Sequence, residues 1–413
     1  MRDEQIKVLK SHTFKIKAIR NHTMQRLQQL TEWLHGHFPG TSFDLAPASA
    51  DASFRRYFRA TFPDRTLIVM DAPPQHEDCR PFLHVARLFE DAGTHVPHVH
   101  AQDLEQGFLL LSDLGNTTYL QALCGGAAAQ QRDTHRPLPC GGNADNAREL
   151  YGAATDALMR IQLASRENEL PPYDAALLMR EMRLFPEWYI GKHLNHTLDE
   201  KQSAILEAVF QRIIQNNLAQ PRVYVHRDYH SRNLMVTAPP HLNPLGETTS
   251  HSTRLQTTAA KSLVTPQAGE EAKVKSNFLS LPGILDFQDA VYGPITYDLA
   301  SLFKDAYIKW EEAETMDWLV RYWEKARKAG LPVNNNFGEF YRDYEWMGVQ
   351  RHIKVLGIFA RLYHRDGKDD YLKDLPLVMD YLRRACERYI DLKPLLKLLD
   401  ALEQKKPAVG YTF

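Results

Sequence analysis

The residues best suited to chemistry lie in Val223-Tyr-Val-His226-Arg227-Asp228-Tyr229-His230-Ser231-Arg232-Asn233-Leu-Met-Val236, where two short apolar stretches flank a polar loop. Much later comes Gly283-Ile-Leu-Asp286-Phe287-Gln288-Asp289, an apolar stretch that ends in two carboxylates. Phosphoryl transfer from ATP calls for a set of this kind. One carboxylate must orient or deprotonate the attacking hydroxyl, and hard oxygen ligands must hold Mg2+ against the phosphates. On this reading Asp228 is the base, while Asn233 and Asp286 are the metal ligands. The alternation His226-x-Asp228-x-His230 also allows three ligands on one face of a strand, as in a metal-dependent hydrolase. That alternative leaves Asn233 and the distant Asp286-Phe287 pair unexplained. His226 reads better as a hydrogen-bonding brace for the loop. Asp298, in Asp298-Leu-Ala-Ser301, reads as a helix N-cap or a structural acceptor.

The elements that must hold these groups follow from periodicity. Leu27, Leu30, Trp33 and Leu34 recur at helical spacing after Met24. Short strands are expected at Ser42–Ala46, Phe54–Ala60 and Thr66–Met70, joined by tight turns. A helix over Gln75–Ala92 closes at Gly93, and Phe108–Leu111 is a buried strand. From Leu150 onward helical patterns dominate. In the helix Arg342–Arg365, Trp346, Val349, Ile353, Leu356 and Ala360 face the core, while Arg351, Lys354, Arg361 and Arg365 form a second, basic stripe. Residues 124–146, with two Gly-Gly pairs, and 237–282, rich in Thr, Ser, Pro and Gln, read as flexible insertions.

Composition narrows the class. The chain has 413 residues, with 50 Lys and Arg against 51 Asp and Glu, so the balance argues against a dedicated nucleic-acid binder. The hydrophobic share of 44% suffices for a sizeable core. Four sparse cysteines, with no CxxC pair, suit free thiols in a reducing compartment better than a disulfide scaffold. No apolar run approaches a membrane span.

The loop HRDYHSRN, the segment LDFQDA and the YDLA element behind them resemble the aminoglycoside phosphotransferase-like branch of the protein-kinase fold. Within that branch, ASADASFRRYF, LIVMDAPP, FLLLSDLG, LDFQDAVYGPITYDLASL and QRHIKVLGIFARL resemble the N-acetylmuramate/N-acetylglucosamine anomeric kinases of bacterial cell-wall recycling. The resemblance implies an α+β, two-lobed fold with a small β-rich N-lobe and a large helical C-lobe. It implies an extension over 1–23, a nucleotide-binding N-lobe over 24–112 and a catalytic and substrate-binding C-lobe over 113–413. It also implies ATP and Mg2+ as cofactors and an amino sugar as the partner, with no nucleic acid or membrane, in a cytoplasmic monomer. The rival readings are a kinase for another small alcohol, such as an aminoglycoside, and a nucleotide-binding pseudokinase-like module.

Two features depart from the kinase pattern. The third strand, Thr66-Leu-Ile-Val-Met70-Asp71, lacks the phosphate-binding Lys, and no G-x-G-x-x-G precedes it. The nearest cations are Arg55, Arg56 and Arg59, beside the polar loop that ends at Ser53. The resemblance places the adenine edge against the backbone around Leu111 and Asp113. For the acceptor, the candidates are His230, Asp289, the aromatic-flanked Glu187, Arg351 and Lys354. Cations at the last two positions favour a carboxylate-bearing sugar over a polycationic one.

Overall fold

The computed structural model describes residues 24–50, 54–124, 144–237 and 281–403. The expected extension over 1–23, Ser53, and almost all of the expected insertions at 124–146 and 237–282 lie outside the described residues. The chain divides into two compact units, one from Met1–Ala86 with Pro97–Asp113, the other from Arg87–Val96 with Leu114–Phe413.

The first unit is a helix laid on an antiparallel sheet. Helix α1 (24–37) presents Leu30 and Leu34 to strands β1 (Asp44–Ala50), β2 (Arg56–Thr61) and β3 (Thr66–Asp71). Strands β4 (Val99–Asp103) and β5 (Phe108–Ser112) complete the order β1-β2-β3-β5-β4. Alternation explains which face is buried: Leu67 and Val69 of β3 and Phe108 and Leu110 of β5 join Ala60 and Phe62 in one core. Burying a side chain of this size stabilises by about 1.5–3 kcal/mol. The sequence pattern did not reveal edge strand β4, whose residues are at most half-buried. Helix α2 (Arg80–Asp91) starts later than expected. The Asp78 carboxylate accepts from the Arg80 backbone N–H at 3.0 Å and caps the helix there.

The second unit is mainly helical. It contains α3 (Tyr119–Cys124), α4 (Ala144–Leu163), α5 (Ala175–Met182), a π-helix (Phe185–His193) and α6 (Glu200–Leu218). Two small antiparallel ladders follow, β6 (Arg222–Val225) with β9 (Val291–Pro294), and β7 (Leu234–Met235) with β8 (Gly283–Ile284). Helices α7 (Tyr297–Phe303), α8 (Glu312–Lys328), α9 (Phe337–Asp366), α10 (Leu375–Arg388) and α11 (Lys393–Leu402) complete the unit. Among the described residues, no helix is long and apolar enough to cross a membrane. Cys79 and Cys386 are buried thiols, but Cys124 is disulfide-bonded, which departs from the expectation of free thiols throughout.

Helix α9 organises this unit. The Asn336 side chain caps it by accepting from Gly338 N–H at 2.8 Å, and Gly367, at φ 67°, ends it in the left-handed region. Trp346, Val349, Ile353, Leu356 and Ala360 are buried, and so are Arg351 and Lys354. Of the expected basic stripe, Arg365 is exposed and Arg361 half-buried. At Gly357 the helix passes so close to Leu184 that an added Cβ would lie 2.4 Å from its carbonyl carbon. Since that neighbour is backbone, it cannot rotate away. Gly357→Ala is therefore expected to destabilise the protein by about 3 kcal/mol, measured as a lower urea midpoint at unchanged slope.

Candidate active site

The loop between β6 and β7 is held at both ends by buried carboxylates. Asp298, on the first turn of α7, accepts from the backbone N–H of His226 at 2.7 Å and of Arg227 at 3.0 Å. The α7 N-cap is Thr296, so Asp298 is the structural acceptor and not the cap. Burial pushes its carboxyl up to about 7 against those two donors. At the other end, Asp305 accepts from Ser231 N–H at 2.9 Å and from its hydroxyl at 2.5 Å. Tyr229 reaches across to donate to the Ala154 carbonyl at 2.8 Å. So tightly held a loop can keep an unfavourable conformation, and Arg227 sits at φ 77°.

His226 braces the loop from inside. Its ring is fully buried, with Nδ1 accepting from Asp228 N–H at 3.2 Å and Nε2 3.0 Å from the Leu285 carbonyl. The neutral tautomer carrying its proton on Nε2 satisfies both contacts. With both nitrogens engaged, His226 is no metal ligand, and the hydrolase alternative loses one of its three groups. Burial lowers the ring's pKa to about 4. Its contribution to stability is complete above the unfolded value near 6.5 and is lost as pH falls through about 4. Wild type should lose about 3 kcal/mol between pH 7 and 4 that His226→Asn does not, as read by urea unfolding at each pH.

Asp228 is half-buried, and its carboxylate makes no hydrogen bond to another protein group among the described residues. Burial opposes its ionisation. The charge of Lys354, then those of His230, Arg227 and Arg351, outweigh burial and hold the carboxyl below its ordinary value. An ionised, unpaired acceptor therefore stands in the loop. The β7–β8 ladder brings in the other two groups, since Leu285 N–H bonds to the Asn233 carbonyl at 2.9 Å just past the paired residues. The Asn233 amide donates to the Asp228 carbonyl at 3.0 Å and lies 3.5 Å from an Asp286 carboxylate oxygen. Gln288 donates to the other Asp286 oxygen at 2.8 Å, and Asp286 itself is left-handed at φ 63°. Among the described residues no three His, Cys, Asp or Glu side chains form a self-contained metal cage. The hard oxygens of Asp286 and Asn233 suit Mg2+, which takes few protein ligands and leaves positions for phosphate and water.

Behind the loop lies a buried charge cluster centred on Glu181 of α5. Its carboxylate binds Arg227, Tyr173, Lys354 (3.0 Å) and Gln350 (3.2 Å), and Lys354 also reaches the Tyr297 hydroxyl at 3.1 Å. Burial would raise the Glu181 pKa, but Lys354 and Arg227 keep it lowered, so the cluster stays charged.

The phosphotransferase enzyme family model matches residues 44–243 and 279–333, which together include the loop, Asn233 and Asp286. The chain belongs to the phosphotransferase enzyme family. This phosphotransferase is 43% identical over 392 residues to the N-acetylmuramate/N-acetylglucosamine kinase of Neisseria meningitidis, covering 94% of this chain and 100% of that one. It is equally 43% identical over 389 residues to the kinase of the same name from Pseudomonas aeruginosa, covering 92% and 97%. Among solved structures it resembles choline kinase LicA from Streptococcus pneumoniae, with TM-score 0.51, 11% identity, and 86% and 98% of the two chains covered. A choline/ethanolamine kinase family protein from Mesorhizobium loti gives TM-score 0.51 and 11% identity over 90% and 99%. The fold is accordingly the aminoglycoside phosphotransferase-like, protein-kinase-like one, with an antiparallel-sheet N-lobe and a helix-rich remainder.

The remaining candidates in this phosphotransferase separate by what they touch. Arg56 is not a spare phosphate cation: it lies opposite Asp71 across β2 and β3 and is bound to that fully buried carboxylate, which Arg26 also holds. Arg59 is likewise committed, in a two-pronged pair with Asp113 at 2.6 and 3.1 Å. Arg55 is half-buried just before β2, and Leu111 is buried in β5, one residue from its end. His230 is buried with Nδ1 unpartnered and its ring edge-on to Tyr307. Asp289 is exposed, and its carbonyl accepts from Arg227 at 3.2 Å. Glu187 is exposed on the π-helix, and none of its side-chain contacts among the described residues reaches the loop. Lys354 is held by Glu181 and Tyr297, whereas Arg351 has no such partner among the described residues. Sequence reasoning missed Glu181 and Asp305. Glu181 carries a signal in retrospect, a lone carboxylate on the helix face that also buries Leu178 and Met182.

Proposed function

We propose that this phosphotransferase moves the γ-phosphoryl group of ATP to the anomeric hydroxyl of N-acetylmuramate and N-acetylglucosamine, in the cytoplasm, where cell-wall sugars are recycled. The supporting observation is the ionised Asp228 carboxylate, free of hydrogen bonds to the protein among the described residues, in the same loop as Asn233, which in turn meets Asp286. The kinases at 43% identity lend the acceptor class. Asp228 accepts a hydrogen bond from the sugar hydroxyl, aligns its oxygen for in-line attack and takes the proton as the bond to phosphorus forms. Its lowered pKa makes it a weak base early in the reaction, so positioning dominates and proton transfer comes late. Asp286 and Asn233 would hold Mg2+, which would supply positive charge against the phosphates. Gln288 fixes one oxygen of Asp286, and Asp298 and Asp305 keep the loop from yielding.

The test is ADP release with Mg2+ and ATP over N-acetylmuramate, N-acetylglucosamine, glucose, choline and kanamycin, with phosphorus NMR on any product. Acceptor-dependent ADP with an anomeric phosphate on the N-acetylated sugars is the expected result. Turnover confined to kanamycin or choline would replace the acceptor assignment. Nucleotide binding with no turnover on any acceptor would favour the pseudokinase-like reading.

A further inference from the structure

Helix α9 buries several polar side chains in the second unit, Gln350, Arg351 and Lys354 among them. Gln350 and Lys354 are bound to Glu181. Arg351 is only 4% exposed, yet it makes no hydrogen bond or ion pair among the described residues, and its Nη1 has no partner. A guanidinium taken out of water loses several kcal/mol of hydration unless an anion and hydrogen-bond acceptors replace it. One turn along α9, Lys354 shares Glu181 with Arg227, the residue before Asp228. This sets that stretch of helix behind the loop that carries the candidate base, and the field of Arg351 reaches Asp228, His230 and Asp298. Other buried atoms without partners include Nδ1 of His230, Oε1 of Gln350 and both ring nitrogens of His352.

The missing anion must then arrive with a substrate. The two acceptors proposed above differ in one charged group: N-acetylmuramate carries a lactyl ether ending in a carboxylate, and N-acetylglucosamine does not. A planar guanidinium matches a carboxylate with two parallel hydrogen bonds. We propose that Arg351 binds the lactyl carboxylate of N-acetylmuramate and so sets the preference of this enzyme between its acidic and neutral acceptors. This rests on the amino-sugar reading above.

The experiment compares kcat/KM for N-acetylmuramate, its lactyl carboxamide and N-acetylglucosamine, in wild type, Arg351→Met and Arg351→Lys. Wild type should prefer the acid to the carboxamide by about 10- to 100-fold, the range of a hydrogen bond to a charged group. Arg351→Met should bring that ratio close to one, mainly through KM for the acid, and Arg351→Lys should fall between them because charge survives without the fork. The comparison of acid with carboxamide in wild type needs no variant to fold. Equal use of acid and carboxamide by wild type would overturn the proposal, as would an Arg351→Met ratio that stays at the wild-type value. A uniform loss of kcat on all three acceptors would assign Arg351 to the transferred phosphoryl group instead, which also overturns it. Wild type inactive on all three would bring down the amino-sugar reading itself, a result distinct from an unchanged ratio.

Discussion

Asp228→Asn is expected to lower kcat by about 1,000-fold while leaving the melting temperature and nucleotide affinity close to wild type. The amide keeps the size of the side chain but cannot accept a proton, and its NH2 group presents a donor where the acceptor hydroxyl also donates. The fold has little to lose. The Asp228 side chain makes no hydrogen bond to the protein among the described residues, and the loop is held through its backbone by Asp298, Asp305 and Asn233. Removing the charge also relieves Asp298 of a like neighbour, which raises its pKa at present. Steady-state ADP release, calorimetric titration with nucleotide and a thermal melt together check this. Wild-type turnover in the variant would remove Asp228 from the mechanism.

Asp286→Asn is expected to reduce kcat/KM for Mg·ATP by about 100- to 1,000-fold and to raise the Mg2+ concentration needed for half-maximal rate. Asn is the informative replacement because it tolerates the left-handed backbone that position 286 adopts, at φ 63°, whereas Ala would add strain to the loss of charge. The two variants should differ in kind. With Asp228→Asn the defect remains at saturating Mg2+, but with Asp286→Asn added Mg2+ should recover part of the rate. A Mg2+ titration of initial rates separates them, and an Asp286→Asn enzyme with unaltered Mg2+ dependence would exclude Asp286 as a metal ligand.

What could be read from the sequence was whatever depends on neighbours along the chain. His226 to Asn233 is a loop of fixed length between two apolar strands, so the spacing alone sets the candidate base and one metal ligand close together. Asp286 was legible because it ends an apolar strand, although its proximity to Asn233 requires the two-residue pairing of β7 with β8. The choice among cations was not legible. Arg56 and Arg59 look like free phosphate ligands until the β2–β3 register sets Arg56 opposite Asp71 and the fold brings Asp113 to Arg59. Likewise Arg351 and Lys354, one turn apart on one helix, look equivalent. Glu181, far away in the chain, binds Lys354 and leaves Arg351 unpaired among the described residues. Long-range ion pairing is invisible to periodicity, and here it decides which charges are available to a ligand.

The hairpin that carries Asn233 and Asp286 also has a consequence for how this chain tolerates change. Its two strands are closed by hydrogen bonds on the side of residues 238–280, where the Thr237 hydroxyl donates to the Leu281 carbonyl at 2.8 Å. The described residues on either side of that stretch are therefore stapled together next to the β7–β8 ladder. A substitution at Thr237 that removes this hydroxyl bears on the ladder that spaces Asn233 and Asp286.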